Sequence, residues 1–194
     1  MPYGMAARGI FGDDVVSKFA SVAAANANHL LASGDLLGAA FSAAHFVRLT
    51  SRRSWPDEDQ ERMSQELRQS VTLNLQAGDA VAAAARAASY QMLTDETPGN
   101  DPDMEGLRKP LTDLPGQRHI FNSLAVAEQL SHYLLLGGPI FWTEGEFHEM
   151  RTAVITDFEA CVQRGEEALA AARLATFDVL EANLEAGHTA FSPP

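Results

Sequence analysis

Two stretches of the chain repeat one pattern of turn and helix residues, and this pattern constrains the fold more than any other feature. Residues 33 to 50 read SGDLLGAAFSAAHFVRLT, and residues 77 to 94 read AGDAVAAAARAASYQMLT. In both stretches, a glycine can adopt the left-handed backbone conformation that commonly ends a helix. The aspartate after it can cap the N-terminus of the next helix. Gly34 and Gly78 lie 44 positions apart. The pattern predicts two antiparallel helical hairpins with the same turn chemistry.

Helical spacing of apolar residues extends through most of the remaining chain. In the first predicted helix Val15, Phe19, Val22 and Leu30 fall on one face, which Asn26 interrupts. The predicted packing faces of the last three helices are Ile120, Leu124, Ala127, Leu130 and Leu134; Phe147, Met150, Val154, Phe158 and Cys161; and Ala170, Leu174, Phe177, Leu180 and Leu184. Apolar positions recur at intervals of three and four, whereas no stretch alternates apolar and polar β-branched residues as a half-buried strand does. A chain of 194 residues with 46% hydrophobic residues is of the size and composition of one globular domain with a single core. We therefore predict an all-α fold of about seven helices in antiparallel hairpins.

The composition along the chain predicts how this single domain is organised. We expect the two hairpins in residues 12–94 and a flexible connector in residues 95–116, where proline and glycine are frequent. Three further helices follow in residues 117–186, and residues 187–194 form a tail. Thr143 and Glu146 have the spacing of a capping box, and Gly165 marks a break before the last helix.

The net charge of the chain disfavours nucleic acids and anionic lipids as partners. The chain has 14 Lys+Arg against 26 Asp+Glu and a formal charge of -12, so phosphate backbones and anionic lipids would repel it. We predict no nucleic-acid partner.

The longest apolar run is too short to span a bilayer, and the N-terminus lacks the pattern of a secretory signal, which predicts no membrane association and a cytoplasmic location. The single cysteine, Cys161, falls on an apolar helix stripe and is predicted to be buried.

The hairpin pattern resembles the tetratricopeptide repeat family, in which helix pairs with small residues at fixed positions stack into a curved array. The resemblance covers roughly three-fifths of the chain. The interval departs from that family's unit of about 34 residues, and the family's aromatic in each first helix and its closing proline are missing. An irregular helical bundle with the same turns is the alternative. The family-like positions are Ala27, Gly34, Ala39, Ala43, Gly78, Ala83, Ala87, Tyr90, Gly165, Ala170 and Phe177.

A tetratricopeptide-like array would place the first helix of each pair on its concave side. Polar residues there that lie off the apolar stripes can hydrogen-bond an extended peptide backbone. Our leading interpretation is therefore a protein- or peptide-binding interaction module without catalytic residues or a cofactor, with a homodimer as one option. The candidate partner-binding residues are Asn28, Gln65, Arg68, Gln69, Thr72, Thr152 and Glu159.

Two glutamate-histidine pairs favour an alternative function. Glu128 precedes His132 by four residues, and Glu144 precedes His148 by four, which places both members of each pair on one helix face. Two such helices facing each other would offer four metal ligands, although the di-iron pattern of helical bundles has a spacing of three. The alternative is a helical-bundle enzyme or metal-binding protein. A structural assembly subunit is a second alternative.

Other chemistry-bearing residues carry weaker signals. The remaining histidines occur singly, without the spacing of ligands: His29, His45, His119 and His188. Arg48, Arg52 and Arg53 cluster where a helix ends, so they either complement the helix dipole or contact an acidic partner beside Trp55. The chain has no phosphate-binding glycine loop, nucleophile elbow or zinc-protease histidine pair, which favours a non-enzymatic function.

Overall fold

The protein is all-α, as predicted. A computed structural model describes residues 5–94, 123–137 and 144–187, and within these ranges it contains eight helices and no strand. None of these helices is both long enough and apolar enough to cross a lipid bilayer. The helices are α1 Met5–Phe11, α2 Asp13–Ser33, α3 Leu36–Thr50, α4 Asp57–Gln76, α5 Ala80–Thr94, α6 Ser123–Leu135, α7 Glu144–Arg164 and α8 Glu167–Gly187.

Several expectations fall outside the described residues. These are the connector at 95–116, the predicted start of the fifth helix at 117–122, the capping residue Thr143, and residues 188–194 of the tail. Among the described residues, α1 is the one helix that the sequence pattern did not predict. It has only seven residues, which is too short for an apolar stripe to repeat.

The repeated turns have the predicted chemistry. Gly34 and Gly78 adopt φ angles of 85° and 77°, and Gly165 ends α7 with a φ of 74°. Asp35 and Asp79 each accept a hydrogen bond of 2.9 Å on a carboxylate oxygen from the backbone amide three residues later. Each aspartate therefore satisfies one of the unpaired amides at the start of the helix it precedes. The repeated sequence pattern thus corresponds to two equivalent turns, in each of which one helix ends at a glycine and the next begins after a capping aspartate.

Four inner helices, α3, α5, α6 and α8, form a ring. In this ring α3 packs against α5 and α8, and α6 packs against the same two helices. The outer helix α2 covers α3 and α8, α4 covers α3 and α5, and α7 covers α6 and α8. Because α8 contacts both the first hairpin and α6, the last hairpin closes onto the first. An open array brings only neighbouring units together, so these contacts favour the bundle, while the tetratricopeptide relationship stays a prediction.

The inner helices begin at regular intervals along the chain. Their first residues are Leu36, Ala80, Ser123 and Glu167, at intervals of 44, 43 and 44 residues. The fifth residue of each is an alanine with an exposed fraction of 0%. Since alanine has the smallest side chain with a Cβ, the four backbones can approach closely at this level. The alanines are Ala40, Ala84, Ala127 and Ala171.

The predicted apolar stripes of the C-terminal helices form much of the core. Phe147, Met150, Val154, Phe158 and Cys161 of α7 are all buried, and burial raises the pKa of the Cys161 thiol. This confirms Cys161 as a buried apolar residue. Of the other two predicted faces, Leu124 and Leu184 are only half-buried, and Ile120 lies outside the described residues. The remaining members are buried as predicted, namely Ala127, Leu130, Leu134, Ala170, Leu174, Phe177 and Leu180.

The buried face of α2 differs from the prediction. Phe19 is buried as expected, but the predicted Val15, Val22 and Leu30 are only half-buried. Small residues occupy the centre of the contact instead, since helices that pack closely favour alanine there. The buried residues are Val16, Ala20, Ala23 and Ala27. Asn26, which interrupts the apolar stripe, donates a hydrogen bond of 2.7 Å from Nδ2 to Oγ of Ser42 on α3.

The short helix α1 is held against the bundle by an aromatic cluster and a buried carboxylate. The Phe11 ring lies 5.2 Å from the ring of Phe158 and 5.1 Å from that of Phe177 between centroids. The backbone amide of Ala7 donates a hydrogen bond of 2.9 Å to Oδ1 of Asp178. Asp178 lies on α8, so one inner helix provides both the packing surface and the hydrogen-bond acceptor for α1.

Candidate functional site

A cavity of about 40 Å³ lies at the centre of the ring. The ninth, tenth and thirteenth residues of each inner helix line it. The ninth residues are small: Ala44, Ala88, Ser131 and Ala175. One buried water needs about 10–15 Å³ and organic ligands of drug size need about 300 Å³ or more, so the cavity suits an ion or a molecule of few atoms.

Imidazoles and hydroxyls alternate around this cavity. The tenth residue is His45 on α3 and His132 on α6, whereas it is Ser89 on α5 and Thr176 on α8. Because α3 and α6 occupy opposite sides of the ring, the two histidines approach the cavity from opposite directions. The thirteenth residues complete the lining, and they are Arg48, Met92, Leu135 and Val179.

Both cavity histidines are neutral at pH 7. Burial lowers the pKa of His132 to about 4. The pKa of His45 is also lowered to about 4, chiefly by burial and further by the charges of His132 and Arg173. A neutral imidazole keeps one nitrogen lone pair available for a hydrogen bond or a metal ion. The site therefore offers two electron-pair donors without positive charge on the rings.

A cluster of three charges lies beside the cavity. Arg173 of α8 donates a hydrogen bond of 2.6 Å from Nε to Oδ2 of Asp157 on α7, and it also pairs with Glu128 on α6. The Arg173 side chain is 13% exposed. One cation between two carboxylates leaves a net charge of -1 for this cluster.

Arg48 lies in the last turn of α3, as predicted, but its side chain forms a buried ion pair, which corrects its interpretation as a contact for an acidic partner. Its Nε lies 2.8 Å from Oδ2 of Asp178, and its Nη2 donates a hydrogen bond of 3.1 Å to the Asp178 carbonyl. Both side chains are buried. Arg52 and Arg53 are exposed. The ion pair could not be predicted because Arg48 and Asp178 are 130 residues apart.

Trp55 is half-buried and is held by two contacts within the protein. Its ring packs edge-on against Phe46, with 5.3 Å between the centroids. Its Nε1 donates a hydrogen bond of 2.9 Å to Oδ1 of Asn28 on α2. The indole therefore fastens the α3–α4 loop to α2.

The candidate partner-binding residues are all exposed, but only four of them lie together. Gln65, Arg68, Gln69 and Thr72 follow one face of α4, at spacings of three and four residues. Asn28 lies on α2, where it bonds Trp55. The other two, Thr152 and Glu159, lie on α7.

Of the four candidate metal ligands, the structure places His132 at the cavity. Glu128 pairs with Arg173, and His148 is exposed on α7. The side chain of Glu144 is outside the described part of the structure. Within the described ranges, no group of three or more His, Cys, Asp or Glu side chains could hold a metal ion.

His45 lines the cavity but was not among the predicted candidate site residues. It precedes Ser89 by 44 residues, and Ser89 precedes His132 by 43, so the three hold the same position in successive inner helices. Extending the 44-residue Gly-Asp register from His45 into α6 reaches Tyr133, one residue after His132, because the interval between the starts of α5 and α6 is 43 residues. The spacing of ligands along one helix could not reveal this pair.

No family model matches the chain, and neither the curated proteins nor the solved structures contain a significant match to it.

Proposed function

We propose that the protein binds one late first-row metal ion, such as a zinc or copper ion, between His45 and His132. The observation that carries this proposal is that imidazoles from two opposite helices line one cavity of ion size. Neutral imidazole is the commonest protein ligand for such metals. The proposal keeps the metal-binding alternative and replaces Glu128, Glu144 and His148 by His45.

The arginines Arg48 and Arg173 near the cavity are paired with carboxylates, which disfavours an anion in the cavity. The Arg48 guanidinium is already neutralised by Asp178 at 2.8 Å. The Arg173 cluster contributes a net charge of -1, and both imidazoles are neutral at pH 7. An anion would enter a region with no unneutralised cation, and loss of its hydration would be poorly compensated there. A metal ion gains both lone-pair donors, and the repulsion by Arg173 that lowers the pKa of His45 is reduced by the pairs of Arg173 with Asp157 and Glu128.

The proposal is tested by equilibrium dialysis of the untagged chain, freed of metal by a chelator, against Zn²⁺ and Cu²⁺ at pH 7.5. We expect one bound ion per chain. The double variant His45→Ala, His132→Ala should weaken binding by about 100-fold or more, because both donors are removed. The matched control is His29→Ala, His148→Ala, which removes two exposed histidines and should bind like the wild type.

Two outcomes would reject the proposal. One is a wild-type chain that binds none of Zn²⁺, Cu²⁺ and, under anaerobic conditions, Cu(I), and the other is equal affinity in the cavity variant and the wild type. Circular dichroism of each variant verifies that its helical content is unchanged, so that a loss of binding can be assigned to the site.

We infer a second candidate function, protein binding through the outer face of α4. Leu73 has an exposed fraction of 57% and adjoins Thr72, on the face that also carries Gln65, Arg68 and Gln69. An exposed apolar side chain among groups that hydrogen-bond is a common arrangement at the centre of a contact surface. This observation supports the interaction module predicted from the sequence, with α4 as its binding surface.

A displayed library of random peptides tests the second candidate. We expect peptides that are enriched on the wild type to lose binding to Leu73→Asp, since a carboxylate would be buried in the contact. Val162→Asp is the matched control, because Val162 is 42% exposed on the distant helix α7. The second candidate fails if no peptide is enriched, or if Leu73→Asp and Val162→Asp bind the enriched peptides equally.

A further inference from the structure

We propose that Met92 is a third ligand and that the cavity is therefore selective for monovalent copper; this inference rests on the proposed function. Two imidazoles alone give an incomplete coordination shell. No third His, Cys, Asp or Glu joins them within the described ranges. The cavity lining does contain one further side chain with a metal-binding atom suited to a soft ion, the thioether of Met92.

The ring geometry places Met92 next to both histidine helices. Met92 lies on α5, and α5 packs against both α3 and α6. The side chain is 3% exposed, so its sulfur is shielded from bulk water. Methionine has three rotatable side-chain bonds, which lets the sulfur adjust its position inside a cavity. The thioether can therefore approach an ion held between the two imidazoles from the side.

The chemistry of the donor set selects the ion. Thioether sulfur is a soft ligand that favours Cu(I), whereas Zn²⁺ in structural sites takes four ligands and commonly uses thiolate or carboxylate. Cu(I) is satisfied by two or three donors, which matches His45, His132 and Met92. All three donors are neutral, so nothing in the shell itself compensates the second charge of a divalent ion.

The charge balance leads to the same ion. The cluster of Arg173, Glu128 and Asp157 carries a net charge of -1. The charge of this cluster that acts on His45 is that of Arg173, so a cation in the cavity is repelled, and a divalent ion is repelled more strongly than a monovalent one. An uncompensated charge is unfavourable in a region of low dielectric. The cavity is therefore better matched to Cu(I) than to Zn²⁺.

The test is an anaerobic titration with Cu(I), supplied as its acetonitrile complex and competed with bicinchoninate. We expect Met92→Leu to weaken Cu(I) binding by about tenfold or more, while its affinity for Zn²⁺ stays that of the wild type. Leucine has nearly the volume of methionine, so the core is preserved. Met63→Leu is the matched control, because Met63 of α4 is fully buried and does not line the cavity.

X-ray absorption of the Cu(I) complex supplies an independent measurement, and we expect one sulfur scatterer beside two imidazoles. Unchanged Cu(I) affinity in Met92→Leu, or a copper shell without sulfur, would overturn this inference and leave the proposed function standing. Tighter binding of Zn²⁺ than of Cu(I) by the wild type would also overturn the inference alone. If neither ion binds, both the inference and the proposed function are wrong.

Discussion

Asp178→Ala is expected to lower the free energy of unfolding by about 3–5 kcal/mol, because it leaves a buried arginine without its counter-ion. The Arg48 Nε lies 2.8 Å from the Asp178 carboxylate, and the two side chains are 8% and 1% exposed. The same substitution removes the acceptor of the Ala7 amide hydrogen bond. We therefore also expect α1 to exchange its amide hydrogens faster than the rest of the bundle.

Urea unfolding followed by circular dichroism measures the effect, and a double variant identifies its cause. Arg48→Met with Asp178→Asn should recover most of the loss, since no charge is buried and the asparagine oxygen can still accept from Ala7. Arg62→Ala is the surface control. It removes an exposed pair with Asp59 and should cost less than about 1 kcal/mol. A loss below 1 kcal/mol for Asp178→Ala would show that the buried pair does not stabilise the fold.

The metal-free protein is expected to lose stability as the pH falls from 6.5 towards 4. His45 and His132 have pKa values lowered from 6.5 to about 4 in the folded state. In this window the unfolded chain binds protons that the folded chain does not, so the free energy of unfolding decreases as the pH is lowered. One pKa unit corresponds to about 1.4 kcal/mol, so each ring accounts for at most about 3 kcal/mol by pH 4.

Urea unfolding at pH 7, 6 and 5 in the presence of a chelator measures this dependence before most carboxyl groups begin to titrate. The groups around His45 that influence its charge are His132 on α6 and Arg173 on α8. The variant His45→Gln, His132→Gln should show a flatter dependence on pH, whereas His29→Gln should keep the wild-type slope because His29 is exposed. Identical slopes in all three proteins would contradict the assignment to the cavity.

The parts of the fold that were predicted correctly depend on residues near one another in the chain. Gly34 and Asp35 specify a helix stop and start through hydrogen bonds that span five residues or fewer. The stripe from Phe147 to Cys161 has a helical period whatever surface it packs against. These features can be predicted from the sequence because a turn or a helix face depends on residues that are close together in the chain.

The candidate site was predicted only in part, because its groups come from different helices. The Glu128–His132 pair predicted metal ligands on α6. In the structure Glu128 forms an ion pair with Arg173 instead of facing the cavity with His132. His132 shares the cavity with His45, which is 87 residues earlier in the chain. The sequence around one histidine does not predict that the other lies near it, because helical spacing relates only residues of the same helix.

The sequence by itself determined the helices, their capped turns, and the positions of the small residues that permit close packing. Only the tertiary structure decided that α8 returns to the first hairpin and closes a ring around His45 and His132. The physical reason is that helix and turn preferences act over a few residues. The choice of which helices pack together depends on side-chain fit and on buried charges such as Arg48 and Asp178, which meet only when the ring is formed.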